Sequence, residues 1–218
     1  MRRAFEGLSR FLATPRLTKH RLFAWLPTAT LPDSQLIVFA RDDDYFFGVL
    51  HSRVHEVWAR GLGTQLREVE SGFRYTPTTT FETFPMPEPP AEVAEAVAAV
   101  ACELNELREG WLNPRGADAA VLGRRTLTNL YNERPTWLER AHARMDQAVH
   151  AAYGWPHPLG DEEILERLIA LNLSRSEEAA TWRASDSLRG GFTTVGACNA
   201  DHRAAWLPGE PTAGAASQ

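Results

Sequence analysis

The amino-acid sequence predicts an α+β protein, with an N-terminal mixed αβ lobe, an antiparallel helical region and a loose C-terminal tail. Three observations carry that prediction. Short β-rich runs, "LIVFA" and "YFFGVL", fall within the first 88 residues. A proline-dense exit, "FPMPEPP" (84–90), forbids helix or central strand across it. Beyond it, apolar residues recur at helical spacing up to about Ser174 and then lose their period. The boundaries follow as 1–88, 89–175 and 176–218.

Taken in order, Phe5, Leu8, Phe11 and Leu12 have helical spacing, so an amphipathic helix is expected up to about Thr14, where Pro15 stops it. "QLIVFA" (35–40) and "YFFGVL" (45–50) read as hairpin strands about a polar turn, Arg41 to Asp44. Ser52 stands at the N-cap of a helix carrying Val54, Val57 and Trp58. Gly61 and Gly63 end that helix through a left-handed residue. In "RYTPTTTFETF" (74–84), threonines and aromatics suit a last extended strand. Val93, Val97, Val100, Leu104, Leu107 and Trp111 then form a heptad-like seam that needs a packing partner. Pro135 opens a second helix through Leu138, Ala141, Met145, Val149 and Ala152. Asp161 caps a third, with Ile164, Leu165, Leu168 and Leu171 on its inner side.

Composition bounds the function. The 218 residues are 44% hydrophobic and 23% charged, which is globular rather than disordered. No apolar run approaches the roughly 18 residues of a membrane span, and "MRRAFEGLSRFLATPR" lacks the apolar core of an export signal. Cys102 and Cys198 cannot make a disulfide framework or a four-ligand zinc site, which fits a reducing cytoplasm. A net charge of −5 excludes a uniformly basic surface. The charge is uneven, however: Arg2, Arg3, Arg10, Arg16, Lys19 and Arg21 face Glu6 alone in residues 1–21, while the chain from 91 onward is acidic. Such asymmetry points to a polyanion-facing edge.

The candidate catalytic features are incomplete. His51 and His55 in "HSRVH" are four apart, as metal ligands on one helix would be, yet the Glu of H-E-x-x-H is absent. Joined with Asp42, Asp43 and Asp44 they would make a stand-alone metal-dependent hydrolase, the weakest of three readings; core or capping histidines are the commoner use. His142 and His150 line a helix contact or solvent. "RGLGT" follows a helix, not a strand, and serves as a C-cap. Phosphate loop, nucleophile elbow, methyl-donor loop and Asn-Pro-Pro-aromatic segment are all missing. No catalytic, metal-binding or cofactor-binding residue is assigned.

Four segments carry a resemblance: "KHRLFAWLP", "DDDYFFGVLHSRVHEVWARGLGTQLREVESGFRYTPTTTFETFPMP", "RTLTNLYNERPTWLERAH" and "MDQAVHAAYGW". Over about residues 10–173 the chain resembles the C-terminal part of large bacterial adenine-specific DNA methyltransferases. These are the MmeI-like enzymes of single-chain restriction–modification and phage-defence systems. The resemblance implies that residues 1–88 are part of a target-recognition lobe handing over at "FETFPMPEPP" to helical support. It implies a catalytic methyltransferase domain upstream, with this chain a fragment, a separately encoded piece or the product of a mis-called start. S-adenosylmethionine then belongs to the parent enzyme and not to this chain. The implied partners are double-stranded DNA and the methyltransferase catalytic domain or subunit, with no membrane. After Leu173 the chain departs from the family's usual ending.

On that basis Arg16, Thr18, Lys19, His20 and Arg21 are expected to bind DNA phosphates. Arg74, Tyr75, Thr76, Thr78 and Thr79 are expected to reach groove edges, where Arg reads guanine and Thr meets a thymine methyl. The alternative is a helical interaction module docking onto a methyltransferase subunit, with Trp111, Trp137, Tyr153 and Trp155 in a core or interface.

Overall fold

The computed structural model describes residues 2–65, 73–188 and 206–207. Strand β1 (Arg10–Pro15) occupies the stretch whose spacing predicts a helix; before it lies only a 3-10 turn, Arg2–Phe5. The reason is burial on both faces. Phe11 to Thr14 are all buried, because β1 is a central strand between β3 (Ala24–Pro27) and β4 (Leu36–Phe39). A continuously buried run does not distinguish strand from helix by period. Strand β7 (Trp206–Leu207) completes the order β3-β1-β4-β7, with all pairings antiparallel.

The opposite correction applies at 45–50. "YFFGVL" lies in helix α1 (Asp44–His51), not in a hairpin strand. Asp43 accepts a hydrogen bond from the Phe46 N–H, so the acidic turn is a helix N-cap. Ser52 closes α1 and caps α2 (Arg53–Leu62), as expected, and this puts His51 and His55 on different helices. Gly63 ends α2 with φ −76°, so the left-handed explanation fails. Space is the constraint instead: a Cβ there would lie 2.5 Å from the Ala59 carbonyl oxygen.

A second, three-stranded sheet runs β2-β6-β5, from Leu17–Thr18, Phe73–Arg74 and Thr64–Gln65. The threonine run after it coils into a π-helical turn, Pro77–Phe81, and is not extended. Thr80 Oγ1 donates to the Thr76 carbonyl at 2.6 Å, a local bond that competes with strand pairing.

Helix α3 (Ala91–Leu112) lies across α1 and α6 (Thr136–Ala152). It buries Val97, Ala101 and Leu104 but then Arg108, leaving Leu107 exposed. Short helices α4 (Ala119–Leu122) and α5 (Leu127–Glu133) precede α6, which buries all five of the predicted apolar positions. Helix α7 (Asp161–Leu188) buries Ile164 and Leu168 and continues past Ser174, where the apolar period fades. Most of the expected tail, 189–205 and 208–218, lies outside the described residues. One core joins Phe46 and Trp58 of the lobe to Val97, Val149 and Leu168 beyond the proline exit. No helix among the described residues is long and apolar enough to cross a membrane.

Gly48 is where α1 meets α3: a Cβ would sit 2.9 Å from Ala101 Cβ and 3.0 Å from Val97 Cγ1. Gly48→Leu is expected to cost at least about 2 kcal/mol in urea unfolding by forcing the helices apart. Gly110→Ala, on the same α3 but in open space, is expected to gain about 0.5–1 kcal/mol.

Candidate nucleic-acid interface

Sheet β2-β6-β5 brings the two predicted clusters together. Leu17 pairs with Arg74 and Thr18 with Phe73, while the Tyr75 N–H donates to the Arg16 carbonyl at 2.8 Å. Strand alternation then divides the residues between two faces. Arg74 is exposed beside Leu17; Phe73 and Tyr75 on either side of it are buried.

The expected DNA contacts therefore separate into outward and inward groups. Lys19 is exposed, and its Nζ lies 3.2 Å from Asn132 Oδ1 of α5. His20 Nε2 is 2.9 Å from the same oxygen. The basic loop is thus docked on the helical region. Arg16 is half-buried, with Nε donating to the Ser34 carbonyl at 2.6 Å. Thr18 and Thr76 are half-buried; Thr78 and Thr79 are exposed on the π-helical turn.

Arg21 and Tyr75 point inward instead. Arg21 is 6% exposed and donates to Thr14 Oγ1, the Pro15 carbonyl and the Phe73 carbonyl, tying β1 to β6. Its guanidinium carbon stacks 4.6 Å from the Phe73 ring, and burial lowers its pKa to about 10. Tyr75 is 1% exposed, and its hydroxyl meets His55 Nε2 at 3.0 Å. His55 Nδ1–H donates to the Leu50 carbonyl at 2.7 Å, so Nε2 is left to accept from Tyr75. Both residues are braces beneath the sheet.

A polar cleft of about 410 Å³ opens where the lobe meets the helices. Sequence reasoning missed its wall: Arg53, Arg60, Tyr131, Arg134 and Asp146 join Arg21 there. Behind it, buried Arg108 donates to His51 Nε2 at 3.1 Å and to the Phe23 carbonyl at 2.9 Å. A guanidinium can only donate, so His51 Nε2 accepts and the ring is neutral. The Tyr131 hydroxyl lies 2.8 Å from both His51 Nε2 and His142 Nε2, bridging the two rings. Burial first, then Arg108, holds His51 well below the ordinary range and His142 down at about 4. Burial also pushes Asp146 up to about 6, against a bond from the Arg53 N–H. The position of Arg108 between Leu104 and Trp111 on α3 gave a faint signal; the remaining wall residues are far apart in sequence and gave none.

The metal-hydrolase alternative finds no support. Asp43 caps α1, Asp44 pairs with Arg10 at 2.9 Å, and the Asp42 carbonyl accepts from the same arginine. His51 and His55 are committed to Arg108, Tyr131 and Tyr75. Among the described residues no three His, Cys, Asp or Glu side chains converge to hold a metal.

Residues 19–88 match the family model described as "MmeI, target recognition domain". That segment is similar to the MmeI target-recognition family over those residues. The matched segment includes Lys19, His20 and Arg74, and it ends at the proline exit. The chain is also 31% identical over 147 residues, 66% of its length, to DNA methyltransferase A of Bacillus subtilis (strain 168). It spans 15% of that relative. The structure of the Type IIL restriction-modification enzyme MmeI in complex with DNA superposes with a TM-score of 0.64 at 20% identity. The overlap covers 78% of this chain and 22% of that one, and it extends the likeness of fold beyond the recognition segment.

The buried histidines make stability depend on pH with a definite sign. Burial lowers His55 to about 3 and His142 to about 4, so between those values and the ordinary 6.5 the unfolded chain binds protons that the folded chain refuses. Stability is therefore full above pH 6.5 and is lost as pH falls. Asp146, raised to about 6, opposes this by taking up a proton in the folded state first. With about 1.4 kcal/mol per pKa unit, urea unfolding is expected to lose on the order of 2–4 kcal/mol between pH 7 and 5. A profile flat over that range would contradict the neutral-histidine assignment.

Proposed function

We propose that this chain is part of the DNA target-recognition region, with its helical support, of a site-specific adenine-N6 DNA methyltransferase of a restriction–modification or defence system. The observation that carries this reading is the β2-β6-β5 sheet, which sets Lys19 and Arg74 on one lobe of the MmeI recognition type. Lys19, with Arg16 behind it, would neutralise backbone phosphates and fix the duplex without reading it. Arg74 projects from the sheet and offers the bidentate fork that guanine O6 and N7 accept. Thr78 and Thr79 on the neighbouring turn offer hydroxyl and methyl groups to base edges. Arg21 and Tyr75 act as positioning residues, through the sheet.

Methyl transfer would belong to a catalytic domain holding S-adenosylmethionine, the methyl donor of such enzymes. Among the described residues, the glycine run that could approach such a cofactor does not fit it. Gly61 and Gly63, in the chain's one G-x-G run, are filled by protein: Gly63 is pressed against the Ala59 and Arg74 carbonyls, and Leu165 lies over Gly61. The catalytic domain is the partner the helical region would brace, and the setting is the cytoplasm.

The test is duplex binding as a function of salt. Lys19→Ala is expected to reduce the slope of log K against log salt by about 0.9, equally for all sequences. Arg74→Ala is expected to cost about 1–3 kcal/mol on the preferred sequence and little on others. If both variants keep the wild-type slope and sequence preference, the lobe does not recognise DNA through this face.

A further inference from the structure

Among the described residues, the guanidiniums of Arg21 and Arg108 are buried with no carboxylate in hydrogen-bond contact. Arg108 is 2% exposed; it hydrogen-bonds to His51, by the assignment above a neutral ring, and to a carbonyl, and lies over the Phe47 and Tyr131 rings. Arg21 is 6% exposed; it donates to a hydroxyl and two carbonyls and stacks on the Phe73 and Tyr75 rings, with Glu56 acting on it only through space. In both, the Nε–H finds no partner. Buried charges are ordinarily paired, because desolvating an ion costs more than neutral acceptors return. Arg21 lines the cleft at the seam; Arg108 stands behind its His51 and Tyr131 wall.

The cleft's remaining charges do not cancel this excess. Arg53 and Arg60 share Glu56, and Arg53 also pairs with Asp161 on α7. Asp146 is the other acid of the wall, and burial already weakens its charge. Arg134 has only an exposed, loose contact with Glu139 at 3.7 Å. Its backbone is also costly. Arg134 ends α5 in the left-handed region, φ 46° and ψ 60°, where glycine or asparagine would be less strained. Backbone strain of this kind clusters at ligand-binding sites, and here the strained residue is a cation on a cleft. That charge acts on the wall, since Arg134 helps to keep His142 low.

We infer that the seam cleft is a phosphate-binding site in which Arg134 is the movable ligand and the buried Arg21 and Arg108 supply the fixed positive field. An anion entering there meets the compensation the fold itself withholds. The site also lies on the path of a duplex. Lys19 contacts Asn132, two residues before Arg134, so a backbone lying along Lys19 continues to the cleft mouth. The inference rests on the proposed function only for the source of the phosphate, DNA rather than the free ion.

The full 218-residue chain is compared with Arg134→Asn, a change that removes the charge yet suits the left-handed backbone, and with Lys19→Ala. Thermal melting is measured in inorganic phosphate against chloride at matched ionic strength, and duplex binding across a salt series. Phosphate is expected to raise the wild-type Tm and to leave Arg134→Asn unprotected, and Arg134→Asn should lower the salt slope by about 0.9. If Arg134→Asn keeps both phosphate protection and slope, the inference is overturned, and a lowered slope in Lys19→Ala would still uphold DNA recognition. If phosphate protects through Arg134 while neither variant changes the slope, the cleft holds free phosphate and the assignment of DNA as its source is overturned. If only an acidic protein partner, and not phosphate, restores the difference, the phosphate assignment is overturned.

Discussion

The contact on which this architecture depends is the lock between helices α1 and α3. At one end Gly48 lets the two backbones close until Val97 and Ala101 fill the space a side chain would need. At the other, Arg108 reaches from α3 into the lobe and holds both His51 and the Phe23 carbonyl. The first gives close packing, whose worth is dispersion and excluded water. The second is a buried polar tie, costly unless satisfied, and so selective for one relative placement of lobe and helices. Everything at the seam inherits that placement, including the docking of Lys19 and His20 on Asn132 and the cleft between α1, α2 and α6.

Much of the helical region could be read in the sequence, because one-sided burial leaves a period. Leu138 through Ala152 on α6 are buried as their spacing requires. The lobe was harder for a physical reason. Its "RFLATP" and "YFFGVL" runs are buried all round, so spacing cannot tell strand from helix, and each was read as the other. The acidic residues before Tyr45 held the answer, since Asp43 fits a helix N-cap at least as well as a hairpin turn. At "RYTPTTT", strand alternation correctly pairs an outward Arg74 with an inward Tyr75, and reading both as DNA contacts overlooked that rule.

The candidate interface shows the same division. Lys19 and Arg74 were visible in sequence because exposed cationic residues flank short polar runs. Arg53, Arg60, Arg134 and Asp146 were not, because only the tertiary fold brings residues about eighty positions apart to one cleft. Arginine serves two roles here. Arg21 and Arg108 are buried brackets that satisfy carbonyls, while Arg74 and Arg134 are exposed and weakly held. A count of basic residues cannot separate them; burial and hydrogen-bond partners do.

The central claim is that one continuous edge, from sheet β2-β6-β5 across Lys19 to the end of α5, faces a nucleic-acid duplex. Amide and side-chain NMR shifts of the isotopically labelled chain, titrated with a short duplex at low salt, test it directly. The account predicts perturbations grouped at Leu17–His20, Arg74, Thr78, Thr79 and Asn132–Arg134, fading as salt rises. Perturbations centred on the outer face of α7 around Ile169 and Leu173, or none at any salt, would contradict it.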